Sequence, residues 1–173
     1  MSAGVRVARE GPRRDPLWAV LDGVMDPEVP VLSIVELGIV RDVLPGDDGV
    51  TVVVTPTYSG CPAMRVIERE ITRALEEVGV SRVTIQTVHA PAWTTDWLSA
   101  GAREKLRAYG IAPPAHPHRE DELIPLRRRE PVTPCPRCGG SATEERSAFG
   151  STACKAIWYC RDCRDPFEVF KAI

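Results

Sequence analysis

Residues 62–79 have the sequence PAMRVIEREITRALEEVG, which is the clearest helical pattern in the chain. Pro62 suits the first position of a helix, and Gly79 suits the position just after its end. Apolar residues between them recur every three to four positions and predict one buried face: Ile67, Ile71, Ala74, Leu75 and Val78. The pattern therefore predicts an amphipathic helix that packs on a second layer of structure.

Strand patterns lie on both sides of this helix. Residues 38–57, GIVRDVLPGDDGVTVVVTPT, predict two strands around a Pro-Gly-Asp-Asp-Gly turn. Residues 82–88, RVTIQTV, alternate in polarity as a third strand. Helical spacing recurs in residues 16–25 before the hairpin and in residues 96–110 after the third strand. The predicted order is α-β-β-α-β with one additional C-terminal helix. This is a small two-layer α/β (α+β) domain whose middle helix crosses between strands of one sheet.

The composition of the 173-residue chain is that of an ordinary globular protein. Hydrophobic residues make up 43% and charged residues 27%, and the formal net charge is −2. No strongly basic character is present, so nucleic acid is not an expected partner. Residues 1–15 are polar and charged, and no apolar stretch is long enough for a signal peptide or a membrane span. We therefore expect a cytoplasmic protein without a membrane partner, in which paired cysteines bind metal.

Residues 113–134 divide the chain into two parts. This segment has six prolines and two short charge clusters. Proline removes backbone donors and restricts φ, so this density predicts a linker and not a regular helix or strand. The predicted organisation is a first domain over residues 13–112, a proline-rich linker over residues 113–134 and a small module over residues 135–173.

Two cysteine pairs define the C-terminal module. Their sequences are CPRCGG at residues 135–140 and CRDC at residues 160–163. The two-residue gap lets both thiolates of a turn bind one ion, and two such turns supply four sulfurs in a tetrahedron. A module of about 40 residues also needs such a metal to fold stably. Iron is an alternative that thiolate sites also accept. The spacing predicts a zinc ribbon with a structural zinc held by Cys135, Cys138, Cys160 and Cys163.

Cys154 stands apart from these pairs. It lies in FGSTACKA, residues 149–156, six residues before Cys160. One interpretation is a buried strand cysteine, because free cysteine is among the most buried residue types. The other is an extra accessible thiol whose thiolate form is favoured by the charge of Lys155. The sequence leaves both interpretations open.

Cys61 is the one cysteine of the first domain, and it directly precedes the long helix. If the helix begins at the next residue, Cys61 is the N-cap, where the helix dipole favours a thiolate and lowers its pKa. Gly60 leaves room for another molecule to approach the sulfur. The carboxylates of Asp26 and Glu28 follow the first helix, and His89 follows the third strand. We expect these element ends to converge on Cys61 as supporting groups.

Three motifs of the first domain resemble a known family. They are LDGVMDPEVPVLSIVELGIV at residues 21–40, SGCPAM at residues 59–64 and VHAPAW at residues 88–93. Their Asp-Pro-Glu loop, Leu-Gly-Ile-Val strand start and Cys-Pro before a helix are similar to the domain of SufT-like and cytosolic iron–sulfur targeting proteins. The addition of a C-terminal ribbon with FGSTACKA resembles the PaaD family, the small accessory proteins encoded with phenylacetyl-CoA epoxidase. The resemblance covers nearly the whole chain.

This resemblance implies a fold and a role. The fold is an iron–sulfur cluster assembly-like domain with a C-terminal zinc ribbon. The role is an accessory maturation factor of the epoxidase in aerobic phenylacetate degradation, which assists metal-centre assembly in its reductase or oxygenase subunits. Cys61 is the implied cluster-transfer thiol, and the implied cofactors are a structural zinc and a transient iron–sulfur cluster. One cysteine cannot complete a cluster, so a homodimer, an iron–sulfur assembly protein or a small thiol has to supply the other ligands.

Two other functions stay open at this point. The first is a non-catalytic docking adaptor in the epoxidase complex, with the ribbon as its protein-binding surface. The second is a stand-alone thiol enzyme that uses Cys61, with His89 as the base. We expect that the chain is not itself catalytic, although proteins of this family are often named as epoxidase subunits. Residues 135–173 have six Lys or Arg and five Asp or Glu, a balance that argues against a nucleic-acid-binding ribbon.

Overall fold

The structure is a computed structural model that describes residues 16–58, 60–114 and 133–171. The chain divides into two compact units, one up to Trp93 and the other from Thr94 onward. Each unit has its own sheet and its own buried side chains. Within the described ranges, no helix has both the length and the apolar character needed to cross a membrane.

The first unit contains the helices α1 (Pro16–Asp22) and α2 (Met64–Glu77) and the strands β1 (Val40–Gly46), β2 (Gly49–Val54) and β3 (Val83–Thr87). Its sheet has the order β1-β2-β3. Strands β1 and β2 are antiparallel, whereas β2 and β3 are parallel and are connected by α2. The predicted α-β-β-α-β order and the predicted crossover helix are therefore confirmed.

The amphipathic pattern of α2 has the buried face that the sequence predicts. Ile67, Ile71 and Leu75 are 1%, 0% and 0% exposed. Val78 differs from its prediction and is 54% exposed, because α2 ends one residue before it. Burial of three branched aliphatic side chains on one face is the main force that holds α2 on its unit, at about 2 kcal/mol for each side chain.

The loops that follow β2 and β3 begin at the same end of the sheet. Their parallel register ends with Val54 opposite Thr87. The carboxyl ends of parallel strands lie at the same end of the sheet, and open α/β sheets have their ligand sites there. The chain continues from Val54 towards Cys61 and from Thr87 towards His89. Topology alone therefore places Cys61 and His89 in loops at the same end of the sheet.

Helix α1 ends earlier than the apolar spacing up to Met25 predicted. Its last residue is Asp22, and a compact loop follows it up to β1. Asp26 N donates to Leu32 O at 2.9 Å within this loop. Leu32 and Ile34 are both 0% exposed, so the loop is anchored in the core. The Asp-Pro-Glu motif therefore lies on a loop of defined shape.

The second unit contains a short 3-10 helix (Thr95–Trp97), the helix α3 (Ala100–Tyr109) and the strands β4 (Ile111–Ala112), β5 (Thr143–Ser147), β6 (Lys155–Cys160) and β7 (Pro166–Phe170). The sheet order among the described residues is β4-β7-β6-β5. Strands β5 and β6 are antiparallel, and so are β6 and β7.

Strand β4 pairs with β7 in parallel. For this reason α3 and β4, which fall within the predicted first domain, lie in the same compact unit as the ribbon strands. Most of the predicted linker, residues 115–132, lies outside the described residues. The domain boundaries at residues 112 and 134 stay predictions.

Candidate functional site

The four predicted ligand cysteines converge in the second unit. Cys135 Sγ lies 3.7 Å from Cys163 Sγ, and Cys138 Sγ lies 3.6 Å from Cys160 Sγ. All four sulfurs lie within 4.8 Å of one another. Four thiolates that bind a central zinc ion at about 2.3 Å stand about 3.8 Å apart in a tetrahedron. The sulfur positions therefore fit a single tetrahedral metal ion.

Backbone N–H groups of both cysteine turns donate to the sulfurs. Gly140 N donates to Cys138 Sγ at 3.4 Å. The preceding Gly139 has a left-handed φ of 74°, which glycine adopts without strain. Donation from the backbone N–H of Cys163 is the largest cause that lowers the pKa of Cys160 to about 7. A metal ligand has to be a thiolate, so this donation favours the form of Cys160 that binds the ion.

The metal site is also the centre of a small core. Cys135 and Cys160 are 2% and 0% exposed, and they pack with Ala112, Phe167 and Val169 in one buried cluster. Four sulfurs leave no open coordination position for a substrate. The arrangement is that of a closed, structural metal-binding site.

Cys154 lies outside this metal site. Its side chain is 4% exposed, and its Sγ is 3.1 Å from Thr152 Oγ1. The ammonium of Lys155 lies 2.9 Å from Glu168 Oε2 in a largely buried ion pair. The interpretation of Cys154 as an accessible thiol is therefore wrong, and the structure has the buried alternative.

Cys61 lies in a loop of tight turns between β2 and α2. Cys61 N donates to Tyr58 O, and Met64 N donates to Cys61 O, each at 3.3 Å. These turns delay the start of α2 to Met64, with Ala63 as its N-cap. The prediction that Cys61 is itself the N-cap is therefore wrong.

The half-buried Cys61 thiol has a raised pKa. Burial is the largest cause, and the carboxylates of Glu28 and Asp26 raise the pKa further. Hydrogen bonds with the Ala63 N–H and the Tyr58 side chain lower the pKa without offsetting these effects. The expectation of a lowered pKa is therefore wrong, because burial and two negative neighbours together outweigh the Ala63 N–H and the Tyr58 side chain. At neutral pH the free thiol is in its protonated form.

Asp26 gives the carboxylate loop its shape. Its side chain is 6% exposed, and Oδ1 accepts hydrogen bonds from Glu28 N and Val29 N, both at 2.8 Å. This geometry is a side-chain-closed turn of the kind that aspartate forms. The turn leaves Glu28 half-buried, and Glu28 raises the pKa of Cys61 more than Asp26 does. Both carboxylates are therefore close enough to Cys61 to raise its pKa, and their role as supporting groups stays a prediction.

Gly60 and His89 have more exposed positions. Gly60 has a left-handed φ of 84°, and an added Cβ would meet nothing within 4 Å. Glycine is therefore required there by the backbone, and open space surrounds it. His89 is exposed and follows the end of β3, at the same end of the sheet as the loop that contains Cys61. It is not among the groups that shift the pKa of Cys61.

The sequence pattern did not single out Tyr58 or Thr55, which also belong to this region. Thr55 is 1% exposed, and its Oγ1 has no hydrogen-bond partner among the described residues. Its backbone N donates to Ile39 O at 2.8 Å and ties the loop to the end of the sheet. The only signal was position, because both residues precede Cys61 in the same stretch, TPTYSGCP at residues 55–62.

The fold and the two cysteine sites define an iron–sulfur cluster assembly domain combined with a zinc beta ribbon. Two family models match accordingly. The family described as iron–sulfur cluster assembly protein matches residues 14–89, and the PaaD zinc beta ribbon domain matches residues 120–171. The segment that contains α3 and β4 lies outside both matches.

Relatives among known sequences make the assignment more specific. The chain is 45% identical over 162 residues to a protein of Escherichia coli (strain K12) that is named as one of the subunits of a "Putative 1,2-phenylacetyl-CoA epoxidase", and the match covers 94% of each chain. The chain belongs to the PaaD family. It is also 36% identical over 95 residues to the "Fe-S protein maturation auxiliary factor YitW" of Bacillus subtilis, a match that covers 54% of this chain and 92% of that protein.

Solved structures with similarity to the chain correspond to about half of its length. A crystal structure of a domain of unknown function, DUF59, from Bacillus anthracis is 30% identical, with a TM-score of 0.48. The match covers 52% of this chain and 87% of that one. A conserved hypothetical protein from Thermotoga maritima is 30% identical with a TM-score of 0.46, and the match covers 57% of this chain and 97% of that one. The family models, and not these likenesses, carry the assignment above.

Proposed function

We propose that this chain is an accessory maturation factor of a phenylacetyl-CoA epoxidase, the ring 1,2-epoxidase of aerobic phenylacetate degradation. Its task is to assist iron–sulfur or iron-centre assembly in the reductase or oxygenase subunits. The family models and the relatives support an accessory role related to iron–sulfur assembly. The identity of the client protein is the part that this proposal adds.

The observation that carries the proposal is that the Asp26 and Glu28 carboxylates lie close enough to Cys61 to raise the pKa of its thiol. These negative groups disfavour a bare thiolate, but they favour a cation at the same position. An iron ion that arrives at Cys61 replaces the thiol proton and gains both the sulfur and the nearby negative charge. The site therefore keeps its thiol protonated at rest and makes it a ligand only when iron is present.

Cys61 supplies one ligand, and iron–sulfur clusters normally take four thiolates. The remaining ligands have to come from the client, from another assembly protein or from a small thiol. A single ligand on a loop also releases its cargo more easily than a closed four-cysteine cage. This incomplete ligand set suits transfer better than storage.

We further propose that the metal of the ribbon is zinc and that it is structural. The four sulfurs lie within 4.8 Å of one another, which fits the closed tetrahedral set that a structural zinc ion prefers. Iron in the same cage would give a redox-active centre, because soft thiolate sites also accept iron. Metal analysis distinguishes the two ions.

A docking adaptor is the second candidate function, and the loop between β5 and β6 favours it. Phe149 in this loop is 68% exposed, and the Lys171 ammonium lies 4.4 Å from the centre of its ring. Gly150 N donates to Lys155 O at 2.7 Å, which holds the loop in one shape. A preorganised exposed aromatic side chain is typical of protein-binding surfaces. A stand-alone thiol enzyme has less support, because an activated cysteine needs a lowered pKa.

Metal and sulfide analysis of anaerobically purified protein tests the first candidate. We compare the wild type with Cys61→Ser and with Cys154→Ala, which removes a cysteine that is not a ligand. The expected result is zinc in all three proteins, with iron and acid-labile sulfide lost only in Cys61→Ser. If no form takes up a cluster on reconstitution, the carrier proposal fails and the adaptor becomes the better candidate.

A further inference from the structure

Strand β3 is an open edge of the first sheet. Among the described residues it pairs with β2 alone. Its sequence, VTIQT, contains neither a charged residue nor a proline, and Thr84, Gln86 and Thr87 are exposed. Proteins usually protect such edges with charge, proline or a covering element, because the free N–H and C=O groups can pair with another strand. An edge of this kind is suited to pairing with a further strand.

A groove of about 640 Å³ runs beside this edge, between α2 and β3. Ile85, the central residue of β3, lies in it. The other lining residues all come from one side of α2: Arg65, Glu68, Arg69, Thr72, Arg73 and Glu76.

The charges along this row of α2 are complementary to the same row read in the opposite direction. When two copies of α2 lie antiparallel, Arg65 of one copy is opposite Glu76 of the other, and Glu68 is opposite Arg73. The two remaining members, Arg69 and Thr72, then face each other without a like-charge contact. We propose that the groove binds a second copy of this chain in a twofold-symmetric dimer, with the α2 helices antiparallel. An interface of this type uses the same patch on both subunits and requires self-complementarity.

The ion pairs within the chain agree with this pairing. Arg65, Glu68 and Glu76 form no ion pair with any described residue of their own chain. Arg73 is already paired with Glu70 at 2.8 Å. Within the described part of the chain, the groove therefore contains one cation and two anions that lack an ion-pair partner. The second copy supplies the opposite charge for each of them.

A single twofold axis can relate both the two β3 strands and the two α2 helices of the dimer. The midpoint of the charged row lies between Glu70 and Ile71, and Ile85 is the β3 residue that lines the groove beside this row. An axis at this position pairs β3 with its copy in antiparallel orientation around Ile85. In the proposed dimer, β3 pairs with its copy at about 4.8 Å, and the two α2 helices lie about 10 Å from each other. This is the distance at which helices pack.

The proposed dimer has a consequence for Cys61. The residue precedes the N-terminal end of α2, so antiparallel helices place the two thiols at opposite ends of the interface. The 14 residues of α2 alone span about 21 Å. The second copy therefore does not complete the ligand set of Cys61, and each thiol stays available to a client. The dimer does not depend on the proposed function, and either can fail without the other.

The test measures the oligomeric state of the full-length chain by sedimentation equilibrium. Arg65→Glu and Glu76→Arg each place like charges opposite one another twice in the dimer, and each should raise its dissociation constant by about tenfold or more. The double variant with both substitutions restores opposite charges and should return the constant to within about threefold of the wild type. Asp48→Arg, in the exposed turn after β1, is the matched charge reversal outside the groove and should change nothing.

Three results would overturn the proposal. One is a wild-type chain that stays monomeric up to about 1 mM. Another is a dimer that both single reversals leave intact, and the third is a double variant that does not recover. Amide hydrogen exchange of β3 gives a second readout, since its exposed edge should become protected as the protein concentration rises. A monomer that instead binds an extended segment of another protein along β3 would also contradict the second copy as the occupant.

Discussion

The carboxylate of Glu28 raises the pKa of the Cys61 thiol, although one residue lies in the loop after α1 and the other in the loop after β2. Burial contributes more to the raised pKa, and Asp26 contributes less. The fold thus places negative charge beside a soft metal ligand. The thiol is protonated when the site holds no cation, and iron binding has to displace that proton.

Replacing Glu28 with glutamine should lower the pKa of Cys61, because it removes a negative neighbour while burial stays the same. The measurement is the alkylation rate of Cys61 against pH, followed by mass spectrometry of its peptide. The midpoint should move to lower pH. Glu77→Gln, on the exposed side of α2, is the control and should leave the midpoint unchanged. Equal midpoints in wild type and Glu28→Gln would contradict the proximity of the two groups.

Replacing Asp26 with alanine should destabilise the first unit by about 3 kcal/mol, because two backbone N–H groups lose a charged acceptor in a buried site. Asp26→Asn retains an acceptor oxygen and should cost only about 1 kcal/mol. Hydrogen exchange of the β2 amides under native conditions measures both values. Similar costs for the two variants would mean that the turn does not depend on the accepting oxygen.

Cys138→Ala should abolish metal binding in the second unit, because three thiolates leave the tetrahedral set incomplete. Metal content should fall by about tenfold or more, and the amides of β5, β6 and β7 should lose protection. Cys154→Ala is the matched control and should retain the metal, since its sulfur lies outside the cluster. Loss of metal in both variants would show that Cys154 takes part in the site.

The ion pair of Lys155 and Glu168 should stabilise the second unit in a pH-dependent way. Burial by itself would raise the pKa of Glu168, but hydrogen bonds from Lys155 and Ser151 outweigh it and lower the pKa. The stabilising effect is therefore complete above the ordinary pKa of 4.5 and is lost as the pH falls through the lowered folded-state pKa.

Glu168→Gln tests this dependence. It should cost about 2 kcal/mol at neutral pH, a value kept modest because solvent weakens a partly exposed pair. The difference from wild type should vanish in acid below the pKa of Glu168, where the wild-type carboxyl is also neutral. Chemical unfolding between neutral and acidic pH measures it, with Glu145→Gln as an exposed control on β5. A difference that persists unchanged in acid would rule out an electrostatic origin.

Much of the fold was predictable because its signals are local. The apolar stripe with Ile67, Ile71 and Leu75 predicted α2, and the Pro-Gly-Asp-Asp-Gly turn predicted the strands on either side of it, β1 and β2. The grouping of α3 and β4 with the ribbon strands has a long-range cause. Helix α3 and β4 belong with the ribbon because β4 pairs with β7, a contact across more than fifty residues of sequence that no local pattern contains. Val78 is exposed because the helix ends at the residue before it.

The sequence by itself determined the metal centre, because each Cys-x-x-Cys turn carries its own geometry and two turns need only meet around one ion. It also predicted that Asp26, Glu28 and Cys61 converge. Only the tertiary structure decided the protonation of Cys61. Its pKa depends on burial and on carboxylates from another loop, which together outweigh the backbone donor near the helix start and the Tyr58 side chain. Electrostatic energies depend on distance in space and on solvent access, so the folded chain alone sets their balance.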